Sequence, residues 1–274
     1  MPAKKRNQFA PAKNRHRGAP PIVLSIAGHD PSSGAGITAD VKTIAAHGCY
    51  GVTCITGLTV QSTRGVRRME ATAGQLITEM LEELAADMDM AAVKIGMLAS
   101  AEAARAVAGF LERHKPRYVV LDPVLKSSSG AQLLSADGVQ ILKDRLFGQA
   151  LVITPNIDEA GVLAGMPVTN LEEMALAAER LRLLGARNVI VTGGHLNSPA
   201  DLISAHGART PVILRGEKIV SRATHGTGCA FSTALACNLA RGQSLIEAAK
   251  AAKRFVAAAM GRAPRVGKGL GPVL

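Results

Sequence analysis

PIVLSIAGHDPSSGAGITADVKT, residues 21–43, runs from a short apolar segment through a glycine- and serine-rich turn into a helix. Residues 22–27 are apolar and largely β-branched without alternation, the pattern of a strand buried on both faces. Gly28, Pro31 and Gly34 punctuate the chain, and residues 34–47 continue at helical spacing. The same unit recurs downstream. Strands are predicted at 51–58, 92–95, 118–121, 151–154 and 188–192, with helices at 73–88, 101–114, 136–147, 157–164, 171–184, 226–240 and 244–260. Apolar strands alternating with helices give an α/β fold, a mostly parallel sheet covered on both faces. Residues 201–221 depart from this pattern and predict two or three short strands of a hairpin edge. No long linker interrupts the chain, so residues 21–274 form one domain and residues 1–20 a disordered basic tail.

Of the 274 residues 47% are hydrophobic, ample for a core, yet no stretch approaches the ~20 apolar residues that span a bilayer. The N-terminus has basic residues but no apolar run of a secretory signal. Cys49, Cys54, Cys229 and Cys237 lie in no Cys-x-x-Cys or His-paired spacing, which predicts reduced thiols and a cytoplasmic protein without a membrane partner. The net charge of +11 first reads as nucleic-acid binding. Its location argues otherwise. Six basic residues and no acid fall in residues 1–20, and six more with no acid from Lys250 onward, so the body between them is close to neutral. Only 3% of residues are aromatic and Trp is absent, leaving no stacking platform for bases.

In such sheets chemistry sits at the carboxyl ends of the strands. Six loops there carry unusual residues. In the first, Gly28, Gly34, Ala35 and Gly36 let backbone approach a ligand, and Asp40 falls about a turn into the next helix, where it can face that ligand; an ordinary capped turn reads alike. Neither a dinucleotide fingerprint nor a P-loop occurs. The second loop follows a strand and offers Gln61, whose amide suits a flat heterocycle, although a lone glutamine is more often surface. Asp122 in the third loop, with Asn156 and Glu159 in the fourth, can orient magnesium through its waters; a helix capping box gives the same spacing, and both readings stay open. The fifth is Thr192-Gly193-Gly194-His195, with a hydroxyl and room beside it and a histidine read as structural. In the sixth, Gly226, Thr227 and Gly228 precede a helix and form a nest of N–H groups for an anion. Cys229 follows at the first turn, where the helix dipole is expected to lower its thiol pKa and make it a proton acceptor.

Taken in order, SIAGHDPSSGAGITADVKT, TGLTVQSTRGV, VKIGML, LDPV, ITPNIDEA, VTGGH, THGTGCAFSTALA and GKGLGPV resemble the hydroxymethylpyrimidine/phosphomethylpyrimidine kinases of thiamin biosynthesis, in the ribokinase-like superfamily. The likeness spans residues 21–273. It implies a three-layer α/β/α fold and two phosphoryl transfers from ATP with magnesium, to 4-amino-5-hydroxymethyl-2-methylpyrimidine and then to its monophosphate. By the same resemblance Gln61 contacts the pyrimidine, Gly28 and Ala35 form the small-residue loop, Asp40 faces the substrate, and Met97 and Val124 form an apolar floor. Asp122, Asn156 and Glu159 correspond to the positions that order magnesium and the nucleotide phosphates, with Thr192 beside the nucleotide. Gly226, Thr227 and Gly228 correspond to the anion hole and Cys229 to the base.

Three positions depart from the family pattern. Many members have Lys where this chain has Thr192 and Ser128, which puts part of the phosphate neutralisation in doubt, with Lys126 a substitute; Ser32-Ser33-Gly34 replaces the more frequent Ser-Gly-Gly. Two rivals remain: a pyridoxal kinase of similar fold, and a non-catalytic pyrimidine-binding protein. A homodimer is left open.

Overall fold

The computed structural model describes residues 19–194, 196, 198–219, 221 and 223–274. His195 and residues 1–18 of the basic segment lie outside the described residues. Neighbouring residues of the first strand, β1 (Ile22–His29), point to opposite faces, and each face meets its own helices. Leu24 and Ile26 join a core with α2 (Gly74–Asp87), α3 (Ala101–His114), α4 (Ala136–Ile141), α5 (Ile157–Ala164) and α6 (Leu171–Leu183). Val23 belongs instead to a second core with α1 (Gly36–Ala46), α7 (Thr227–Ala240) and α8 (Leu245–Arg262). That is the three-layer α/β/α arrangement, and each fully buried Leu, Ile or Val in it contributes about 1.5–3 kcal/mol.

Among the described residues nine strands form one sheet. The others are β2 (Tyr50–Ser62), β3 (Gly65–Ala71), β4 (Met90–Ile95), β5 (Val119–Leu121), β6 (Val152–Ile153), β7 (Val189–Val191), β8 (Ala200–Ser204) and β9 (Val212–Arg215), in the order β3-β2-β1-β4-β5-β6-β7-β8-β9. β2, β1 and β4 to β7 are mutually parallel. β3, β8 and β9 are antiparallel at the edges, the last two being the expected edge hairpin. β3 is a strand the sequence analysis did not predict. Its residues GVRRMEA are half-buried or exposed, so they lack the apolar run that marked the inner strands. The helical stretch predicted at 136–147 changes character at Leu142, where a π turn (Leu142–Leu146) and a 3₁₀ turn (Phe147–Gln149) follow α4. Among the described residues no helix is long and apolar enough to cross a membrane.

Candidate active site

The strand order reverses at β1, which has β2 on one side and β4 on the other. Ligands of open α/β sheets bind outside the carboxyl ends of the strands at such a point. The first loop is held there by Asp30, which is 3% exposed. Its carboxylate accepts the N–H groups of Ser32 (2.8 Å), Gly34 (3.2 Å) and Ala35 (3.0 Å), and the Ser32 hydroxyl (2.7 Å). A further donor, His225 Nε2, lies 2.7 Å away across 195 residues of sequence. Burial alone would raise the Asp30 pKa, but the hydrogen bonds from His225 and Ser32 outweigh it and hold the group below its ordinary value.

His225 leads into the sixth loop. Its N–H donates to Gly271 (3.1 Å) and its carbonyl accepts from Val273 (3.3 Å), so the closing GLGPV segment braces this loop. Gly226 follows with φ +84°, and a Cβ there would lie 1.9 Å from the Gly34 carbonyl oxygen. Only glycine lets the first and sixth loops pack backbone to backbone. Gly226 is also the N-cap of α7 and supplies no side-chain cap, which leaves the first N–H groups of this 14-residue helix open to an anion.

Cys229 stands in the first turn of α7, next to the Gly36 backbone. Although the residue as a whole is partly exposed, burial pushes its thiol up to about 12, against the pull of Lys94 and with Asp40 and Asp122 adding to the rise. The expected lowering by the helix dipole is therefore corrected. Taking the thiol out of water, beside two carboxylates, outweighs a helix end. Cys49, Cys54 and Cys237 are buried in the core.

Asp40 lies in the interior. Fully buried, it accepts from Lys94 Nζ (2.9 Å), the Thr233 hydroxyl (2.7 Å) and the Ser25 hydroxyl. It ties α1 to β4 and α7 and lies close enough to Cys229 to act on its thiol. Burial opposes the charge on Lys94, but Asp40, Cys229 and Asp122 outweigh it and raise the ammonium above its ordinary pKa. Asp122 accepts from the Ser232 hydroxyl (3.0 Å), and burial raises its pKa against the pull of Lys94.

Glu159 lies on the next strand-to-helix connection, its pKa raised to about 8 first by burial and then by Asp122. Asn156 and Glu159 do form the capping box of α5, with each side chain accepting the other's N–H (2.9 and 3.0 Å). Thr192 bridges to Asn156 at the ends of β6 and β7. Asp122, Asn156, Glu159 and Thr192 thus occupy adjacent strand ends. Among the described residues no three His, Cys, Asp or Glu side chains are arranged to hold a metal directly. Two buried carboxylates whose pKa values burial raises, with Asp122 adding to the rise of Glu159 and Asp40 to that of Asp122, do fit a hard cation held through water.

Met97 lies against Gly28, where a Cβ would come within 2.0 Å of its methyl carbon, and it clusters with Val124, Ala99 and Leu133. Gln61 is not in a loop. β2 runs on through Ser62 before turning into β3, and the strand carries Gln61 beside His225. Both border a cavity of about 230 Å³ that is also lined by Arg64, Ser127, Ser128 and Ser129. The structure thus gathers Gln61, Met97, Val124, the first loop and the start of α7, and adds Asp30, Lys94 and His225, which the sequence analysis did not single out.

Residues 30–274 match the phosphomethylpyrimidine kinase family model. The chain belongs to that family. It is 43% identical over 255 residues to the hydroxymethylpyrimidine/phosphomethylpyrimidine kinase of Rhizobium meliloti, covering 92% of this chain and 96% of the relative. The thiamine biosynthesis bifunctional protein ThiED of Geobacter sulfurreducens is 42% identical over 92% of this chain, which spans 51% of that longer protein. Among solved structures, Bacillus subtilis pyridoxal kinase in complex with ADP superposes with a TM-score of 0.86 at 32% identity, covering 93% of this chain and 97% of that one. Phosphomethylpyrimidine kinase of Clostridium difficile gives 0.77 at 34%, covering 87% and 99%. The fold is that of the ribokinase-like kinases, and the protein is a kinase that uses ATP.

Proposed function

We propose that this kinase phosphorylates 4-amino-5-hydroxymethyl-2-methylpyrimidine and then its monophosphate, with the sites as assigned below. The observation that carries the assignment is the uncapped start of α7 with Cys229 in its first turn, against the first loop. The γ-phosphoryl group of ATP sits at the N–H groups of Gly226, Thr227, Gly228 and Cys229, which are already oriented when charge spreads over its oxygens. The pyrimidine ring lies on Met97 and Val124, beside Gly28 and Ala35, with its polar edge on Gln61. Asn156 and Thr192 line the nucleotide phosphates. Asp122 and Glu159 would hold magnesium through water, and the ion would neutralise phosphate charge. Cys229 enters as a neutral thiol. In a loose phosphoryl transfer the attacking hydroxyl keeps its proton until late, so the sulfur accepts that proton as its own passes to a transferred phosphoryl oxygen. Four free thiols fit a reducing compartment, the cytoplasm.

Pyridoxal is the second candidate, because a pyridoxal kinase superposes with a TM-score of 0.86. Incubating the purified protein with ATP and each alcohol, followed by product mass analysis, separates the two. Mono- and then diphosphate from the aminopyrimidine is the expected result. Turnover of pyridoxal alone would overturn the assignment, and absence of turnover on both would favour a binding protein.

A further inference from the structure

Gln61 and His225 meet at a point where the hydrogen positions are determined by their neighbours. Asp30 accepts three N–H groups and a hydroxyl besides the imidazole, so it is an acceptor only, and the proton between them sits on Nε2 of His225. On the other side of the ring, Nδ1 lies 3.3 Å from the Ser128 hydroxyl. As placed, the Gln61 amide nitrogen lies 3.2 Å from the same Nε2 and the amide oxygen 3.0 Å from Thr59 Oγ1. Thr59 has one hydroxyl hydrogen, and the His29 carbonyl lies 2.9 Å away to accept it. With the amide nitrogen toward His225, donor would meet donor, and Thr59 would need a second hydrogen. Turned over, the amide oxygen shares the Nε2 proton and the amide nitrogen donates to Thr59. In this orientation no donor faces a donor, and the single Thr59 hydrogen stays with the His29 carbonyl.

We infer that His225, backed by Asp30 and Ser128, is a positioning residue that fixes the polarity of the Gln61 amide and thereby selects the ring of the substrate. With the amide held, its remaining N–H and lone pair form a donor–acceptor edge of one sense. An aminopyrimidine presents the complementary pair, a ring nitrogen next to an exocyclic amine. A pyridine ring such as that of pyridoxal lacks that adjacent pair. Ser128 belongs to the device, at a position where the resemblance leads one to expect lysine. The inference rests on the proposal that Gln61 contacts the ring.

The test uses the full chain and compares kcat/KM for the aminopyrimidine alcohol with the inhibition constant of pyridoxal, in the parent and in Thr59→Val, His225→Leu and Gln61→Leu. Thr59→Val and His225→Leu should each cut the preference for the aminopyrimidine by about tenfold, the scale of one mispaired buried hydrogen bond. A merely structural role would weaken both ligands equally, and an unchanged preference in Thr59→Val contradicts the inference. Thr59 lies at the amide end away from Asp30, so it decides the matter if His225→Leu does not fold. Gln61→Leu separates the two ideas. If it abolishes the preference while the other two variants do not, only the inference fails; if it too leaves the preference unchanged, Gln61 does not contact the ring.

Discussion

Cys229 shows how far a residue's chemistry depends on what surrounds it. Its place after Gly226-Thr227-Gly228 is legible in the sequence, and so is the helix that follows. The sign of its pKa shift is not, because the opposing effect comes from burial and from Asp40 and Asp122, residues distant along the chain. A thiol raised to about 12 is neutral throughout the ordinary working range, so it relays a proton and does not present a thiolate to phosphate. Cys229→Ala should lower kcat by about 10²–10⁴-fold with little change in substrate KM, the usual contribution of a positioned proton acceptor. The pH–rate profile of the parent should show no thiol titration between about pH 6 and about pH 10. An inflection there that disappears in Cys229→Ala would mean that the thiolate reacts. Asp40 teaches the same lesson. Its helical position was legible, but its partner Lys94, 54 residues away, was not.

At the scale of elements, the loops were read in the right order because strand, turn and helix each leave a local signature. β3 was missed because an edge strand with charges on it reads as loop, and with it went the fact that Gln61 sits on a strand. The bond between the first and sixth loops is long-range and left no local trace. Asp30 carries it, and its depressed pKa sets a pH dependence. A carboxyl depressed in the folded state stabilises above its unfolded pKa, and that contribution is lost as pH falls through the folded value. Asp30→Asn should therefore lower stability by about 1–3 kcal/mol at neutral pH, since buried N–H donors lose a charged acceptor. The difference from the parent should shrink below about pH 4, where the unfolded carboxyl is protonated. Urea unfolding at several pH values checks this. A deficit that stays constant down to strong acid would mean that Asp30 contributes by packing and not by charge.

The whole molecule combines a near-neutral body with basic ends, and the reversal of strand order at β1 places its site. We expect a chain beginning at Pro21 to keep its fold and activity and to lose only weak, salt-sensitive binding to anionic polymers. Ordering a tail over the site would cost roughly 1–2 kcal/mol for each residue fixed. A loss of about tenfold in kcat/KM for ATP, equivalent to 1.4 kcal/mol, would instead make the tail part of the site. The account stands or falls on where the two substrates sit. A crystal structure with a non-hydrolysable ATP analogue and the aminopyrimidine alcohol tests this most directly. The account predicts the γ-phosphate on the N–H groups of residues 226–229, the substrate hydroxyl beside the Cys229 sulfur, and the ring edge on Gln61. A γ-phosphate or a ring seated away from the start of α7 would contradict it.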